Sequence, residues 1–175
     1  MKAAVSALTL LALGLSACAP TQTGSQSYSP VVHSDTDDAT VVAPGQTVYA
    51  QYTYPGRALG VSDTRYKELK INFGSSVYSD QVSVVGPEAE AAWLRMSASG
   101  LPAGVQVSLV RATIARPVDR TTHSGDYVQI SYQNVMRVLL KVTASAQAKR
   151  GLEVADLTFS DGTSTGTVPL AVEIR

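Results

Sequence analysis

Apolar and polar residues alternate with a period of two along most of the chain. Val48, Ala50, Tyr52 and Tyr54 alternate with Thr47, Tyr49, Gln51 and Thr53, and Pro55-Gly56 ends the run. Leu69, Ile71 and Phe73 alternate with Glu68, Lys70 and Asn72 before Gly74-Ser75-Ser76. Val105, Val107 and Leu109 follow a turn at Gly100-Leu101-Pro102-Ala103-Gly104, and Val128, Ile130 and Tyr132 alternate with Gln129 and Ser131. Met136, Val138, Leu140 and Val142 alternate with Arg137, Leu139, Lys141 and Thr143. Val168, Leu170, Val172 and Ile174 alternate with Thr167, Pro169, Ala171 and Glu173. Successive side chains of a strand point to opposite faces, so each run predicts a strand with one buried face. Such runs, separated by Gly/Pro turns, predict an all-β antiparallel sandwich of about seven or eight strands over residues 44–175. Pro169 cannot donate to a ladder, which places the last strand at a sheet edge or a bulge there. One segment departs from the pattern. Gly86-Pro87-Glu88-Ala89-Glu90-Ala91-Ala92 has Pro at a first helical position and two acids in the first turn. It predicts one short helical turn leading into a strand at Trp93–Ala98.

The first 17 residues read as an address. Met1-Lys2 is a short positive start, and Ala3 to Leu15 is apolar apart from Ser6, Thr9 and Gly14. At about 1.5 Å per residue that run spans roughly 20 Å, short of the roughly 30 Å hydrocarbon core, so a signal peptide is expected instead of a membrane span. It ends in Leu15-Ser16-Ala17-Cys18, which resembles the bacterial lipobox. That resemblance implies cleavage before Cys18 and a diacylglycerol thioether on its sulfur, with Leu15, Ser16 and Ala17 as the recognised signal. The alternative is ordinary signal-peptidase cleavage, which would leave an odd free thiol in an oxidising compartment. Several acyl chains hold a bilayer far more firmly than one. The residue after the cysteine is Ala19, not Asp, which by the same resemblance favours the outer membrane in a cell with two membranes.

Residues 18–43 read as a flexible tether. They include Thr21-Gln22-Thr23-Gly24-Ser25-Gln26-Ser27, two prolines and Asp35, Asp37 and Asp38, with little apolar content to offset ordering entropy. As a coil the stretch would span roughly 25–30 Å.

Composition narrows the function classes. Lys+Arg and Asp+Glu are 14 each in 175 residues. This balance excludes a polybasic nucleic-acid binder. The single cysteine excludes an internal disulfide and any multi-cysteine metal site. Within residues 93–175, Gly100-Leu101-Pro102-Ala103-Gly104-Val105, Leu140-Lys141-Val142-Thr143-Ala144-Ser145, a loop ending at Gly151 and a hairpin turn at Asp161-Gly162 resemble bacterial immunoglobulin-like envelope domains. The resemblance implies the fold and no activity, because such domains serve as spacers, adhesin units and enzyme appendages.

Candidate chemistry is sparse. His33, near Asp35, Asp37 and Asp38, and His123, in a Thr-Thr-His-Ser-Gly loop, are the metal suspects. A zinc or copper site needs three or four fixed ligands, which they do not supply. Asp35-Thr36-Asp37-Asp38 resembles the start of a calcium loop, but Thr40 and Gln46 stand where the Gly and the distal Glu belong. Glu88 and Glu90 read as the opening of the helical turn and not as paired catalytic carboxylates. Tyr49, Tyr52 and Tyr54, with Tyr66 and Tyr78, form a candidate binding surface for sugar rings or a partner protein; against this, tyrosine also fits a half-buried strand. Trp93 is expected in the core. No catalytic residue and no cofactor beyond the lipid on Cys18 is expected. The expectation is a lipid-anchored envelope module, non-enzymatic, contacting another envelope protein or a surface polymer. A carbohydrate-binding or enzyme-accessory domain is the alternative, and a metallo-oxidoreductase on a dismutase-like sandwich the weaker one.

Overall fold

In a computed structural model of the chain, residues 31–33, 38–67, 69, 88–125 and 127–175 are described. Their strands are β1 (Val31–His33), β2 (Thr40–Val42), β3 (Thr47–Pro55), β4 (Glu88–Glu90), β5 (Arg95–Ser99), β6 (Val105–Ala115), β7 (Val118–Ser124), β8 (Tyr127–Tyr132), β9 (Val135–Ala144), β10 (Gly151–Ser160) and β11 (Thr165–Ile174). One sheet has the order β1-β3-β9-β6-β4 and a second has the order β2-β11-β10-β5; β7 and β8 form a separate hairpin. The pairings are antiparallel except β1 with β3 and β2 with β11. The fold is an all-β sandwich.

The period-two runs set the faces. β3 lies on β9 with Ala50 opposite Leu140, Tyr52 opposite Val138 and Tyr54 opposite Met136, and all six are buried. On the second sheet Val168, Leu170, Val172 and Ile174 of β11 and Ala155, Leu157 and Phe159 of β10 are buried. These two inner faces share one core, where Tyr54 and Phe159 meet across the sheets with ring centres 6.4 Å apart. Each large apolar side chain so buried stabilises the fold by about 1.5–3 kcal/mol. Pro169 faces Asp156 of β10, and β2 reaches β11 only at Val172–Ile174, so the missing donor falls where β11 is locally an edge.

Two expectations change. The helical turn expected at Pro87–Ala92 is instead strand β4 from Glu88, paired with β6. Tertiary partners override the helix-start pattern. Glu88 accepts from Thr113 Oγ1 at 2.6 Å and pairs with Arg137 at 2.6 Å, and Glu90 pairs with Arg111. Helical structure lies earlier, in a 3₁₀ turn at Gly56–Leu59 and a single α-helical turn at Asp63–Tyr66 capped by Ser62. The strand expected at Trp93–Ala98 starts two residues later, as β5, with Trp93 and Leu94 in the turn before it.

The second change is at the tether, since β1 and β2 both fall within residues 18–43. The domain therefore begins before Pro44. Thr40 and Val42 are buried, and the Thr40 and Tyr52 hydroxyls share a hydrogen bond. A polar residue that reads as linker is thus satisfied inside the sandwich. The run at 68–73 lies outside the described residues apart from Leu69, which is buried.

Candidate functional site

Tyr49, Tyr52 and Tyr54 do not form an exposed platform. Strand alternation sends Tyr52 (1% exposed) and Tyr54 (4%) inward and leaves Tyr49 half-buried on the opposite face, across from Lys141. The Tyr52 and Tyr54 ring centres are 6.0 Å apart within the core. Burial pushes the Tyr54 hydroxyl well above its ordinary pKa, with the Tyr52 hydroxyl adding to the shift. Tyr66 is buried as well, its hydroxyl raised first by burial and then by nearby Asp63. The candidate surface Tyr49-Tyr52-Tyr54 is corrected accordingly: two of its three rings are core. Trp93 sits at the core boundary, half-buried, with the Arg65 guanidinium 4.4 Å from its ring centre, a cation–π distance.

The other sequence candidates are dispersed. His123 is exposed and belongs to strand β7, not to a loop, with Val128 opposite on β8. His33 lies in β1, in register with Gln51. Among the described residues, no three His, Cys, Asp or Glu side chains come together. Glu88 and Glu90 are held in ion pairs on the outer face of the five-stranded sheet. Leu15, Ser16, Ala17, Cys18, Asp35, Asp37 and Tyr78 lie outside the described residues.

A concave feature lies on the side of the sandwich where β5 and β6 run. β4 pairs with β6 only at Thr113–Ala115, so Gln106–Val110 has no described strand on the side away from β9, while the Val105 amide donates to the Pro102 carbonyl at 3.0 Å. β5 closes its own sheet, with β10 on one side and no described strand on the other. Between these two edges lies a cleft of about 350 Å³. Ala98, Leu101, Val105 and Val107 make its apolar wall, and Gln106, Ser108, Lys141 and Thr143 its polar rim. The unpaired run of β6 offers backbone donors and acceptors beside apolar side chains, the combination by which an extended segment adds to a sheet edge. A bulge between Leu109 and Arg111 ends that run.

Sequence reasoning missed two features. Asp161, read only as a turn residue, is buried and heavily bonded. Its Oδ1 accepts from the Thr163 and Ser164 amides at 2.8 Å each and from Thr163 Oγ1 at 2.7 Å, while Oδ2 accepts from the Ser62 amide at 3.0 Å. Burial pushes this carboxyl up, but the hydrogen bonds from Thr163, Ser62 and Ser164 outweigh it and hold the group well below the usual carboxylate range. The second feature is apolar exposure on the outer face of the four-stranded sheet, at Val41 (38%), Leu152 (62%) and Val154 (62%). Counting the strand phase back from Phe159, Leu157 and Ala155 would have found it, because it puts Leu152 and Val154 on the opposite face. No protein-family model matches the chain, and no curated protein matches it.

Proposed function

We propose that the chain is a lipid-anchored cell-envelope module that works by contact and not by catalysis. Leu15-Ser16-Ala17-Cys18 behind an apolar run supports the anchor, with Cys18 as the lipid attachment site and the outer membrane as its location in a cell with two membranes. No helix among the described residues is long and apolar enough to cross a membrane. The observation that carries the contact function is the open side of the sandwich. There the β5 and β6 edges and the cleft between them offer unpaired backbone groups next to apolar side chains. The partner is an extended segment of another envelope protein or a surface polymer, held by main-chain bonds along Gln106–Ser108 and by Lys141 at the rim. The carbohydrate-binding alternative rested on a tyrosine platform, and burial of Tyr52 and Tyr54 removes its support.

Site-specific photocrosslinking in intact cells tests this reading. A photoreactive residue at Ser108, on the cleft rim, should yield discrete adducts, and one at Thr167, on the outer face of the other sheet, should not. Equal adduct formation at both positions, or none at either, would contradict a binding role for the cleft.

A further inference from the structure

We propose that the sandwich rests on the bilayer through one end of the outer face of its four-stranded sheet, with Val41, Leu152 and Val154 against the lipid and Lys149 and Arg150 on anionic phospholipid headgroups. This rests on the lipid anchor at Cys18 proposed above and is independent of the cleft. Leu152 and Val154 point outward at the start of β10, each 62% exposed. Glu173 of β11 stands in register with Leu152 on one side and with Val41 on the other. The three aliphatic side chains therefore share one face, no more than about 10 Å apart across the strands. Ala171, opposite Val154, and exposed Pro169 continue the apolar surface. Glu173 is paired with Arg175, and Glu153 falls on the opposite strand phase, so neither sets an unpaired carboxylate among them. Clustered apolar exposure of this kind marks a contact surface, a membrane among the possibilities.

The place where the chain enters the sandwich selects the occupant. β1 begins at Val31, opposite Tyr49, and runs parallel to β3, which starts at Thr47. At that same end the Gly45 amide donates to the Ala144 carbonyl at 3.0 Å, the Arg175 amide donates to the Val42 carbonyl at 3.3 Å, and Gly151 stands opposite Ile174. Val41 and Leu152 are therefore at the entry end. Thirteen residue steps separate Cys18 from Val31, a reach of at most about 45 Å when fully extended. Turning the far end of the sandwich to the bilayer would use roughly 30 Å of that reach along the ten-residue β10. The anchor thus brings a lipid surface to the entry end with the least chain extension. Charge agrees with this choice. Lys149 and Arg150 are exposed and immediately precede β10 at the same end. Cations beside exposed aliphatic side chains are the combination that holds a protein surface on anionic lipid.

Site-directed spin labelling tests the proposal on protein purified from bacterial membranes and reconstituted in vesicles of phosphatidylethanolamine and phosphatidylglycerol. A lipidated Cys18 has no free thiol, so wild type should float with the vesicles and take up no label. An introduced cysteine is then the sole attachment point. A wild type that takes up label or stays in solution would overturn the anchor, and this proposal with it. On floating protein, the label of Leu152→Cys should favour oxygen over a water-soluble nickel chelate severalfold more than the label of Thr158→Cys, which lies roughly 20 Å farther along the same face. Lys149→Glu combined with Arg150→Glu should return that ratio to the Thr158 level. With the anchor intact, a Leu152 label as open to nickel as the Thr158 label would overturn the docking alone. So would a Leu152 label shielded from both reagents, the signature of a protein partner or a second copy. A ratio that the charge reversal leaves unchanged would overturn it as well.

Discussion

Asp161 ties the β10–β11 hairpin to the helical segment. Its carboxylate closes the turn onto Thr163 and Ser164 and reaches across to the Ser62 amide, while its carbonyl accepts from Arg65 Nη2 at 2.9 Å. Arg65 also stacks on Trp93, so one turn residue organises three distant segments. Asp161→Asn keeps the shape but removes the charge from these bonds. We expect a loss of about 1–3 kcal/mol near neutral pH, typical of disturbed charge-assisted bonds in a buried site. The pH dependence has a definite sign. The folded-state carboxyl titrates below its unfolded value of about 3.9, so its stabilisation is complete above that value and is lost as pH falls through the folded one. Denaturant titrations should therefore show wild type and Asp161→Asn converging in acid. A gap that stays constant would contradict the assignment. None of this network is legible in the local pattern Asp161-Gly162, which signals a turn and carries no information about Ser62.

At the scale of elements, strand β11 shows what periodicity does determine. Val168, Leu170, Val172 and Ile174 all face the core, as their alternation with Thr167 and Glu173 requires. Val172→Asp would bury an unpaired charge where nothing compensates it and should cost several kcal/mol, on the order of 3–5. Thr167→Asp, on the exposed outer face, should stay within about 0.5 kcal/mol of wild type. Thermal melts of the two variants check the pair, and the reverse order would mean that the faces are exchanged. The strands that escaped the pattern share a physical reason. β1 and β2 are three residues each and pair in parallel, β1 with β3 and β2 with β11 far along the chain, so no local alternation marks them. β4 was hidden by acids that favour a helix start, yet its glutamates are satisfied by Arg111 and Arg137 only once β6 and β9 lie alongside. The tyrosines split the same way. Alternation sorts Tyr52 and Tyr54 from Tyr49, but which side is core follows from Val138 and Met136 on the neighbouring strand.

For the whole molecule, the described residues form a sandwich with packed inner faces and edges left partly unpaired. The cleft between β5 and β6 and the open half of β10 arise where a neighbouring strand stops short. Such features are invisible to residue-by-residue reading, because an edge is defined by what does not pair with it. In the proposed function, contact through these edges would gain from confinement to a membrane, where a tethered module would meet its partners at raised effective concentration. The anchor is therefore central to the functional account, and Cys18 is its test. Metabolic labelling with radioactive palmitate, followed by membrane fractionation, should mark the wild-type protein and find it with the membranes. Cys18→Ala should be unlabelled and should appear in the soluble fraction or as uncut precursor. A wild type that takes up no palmitate and is fully soluble after lysis would contradict the account.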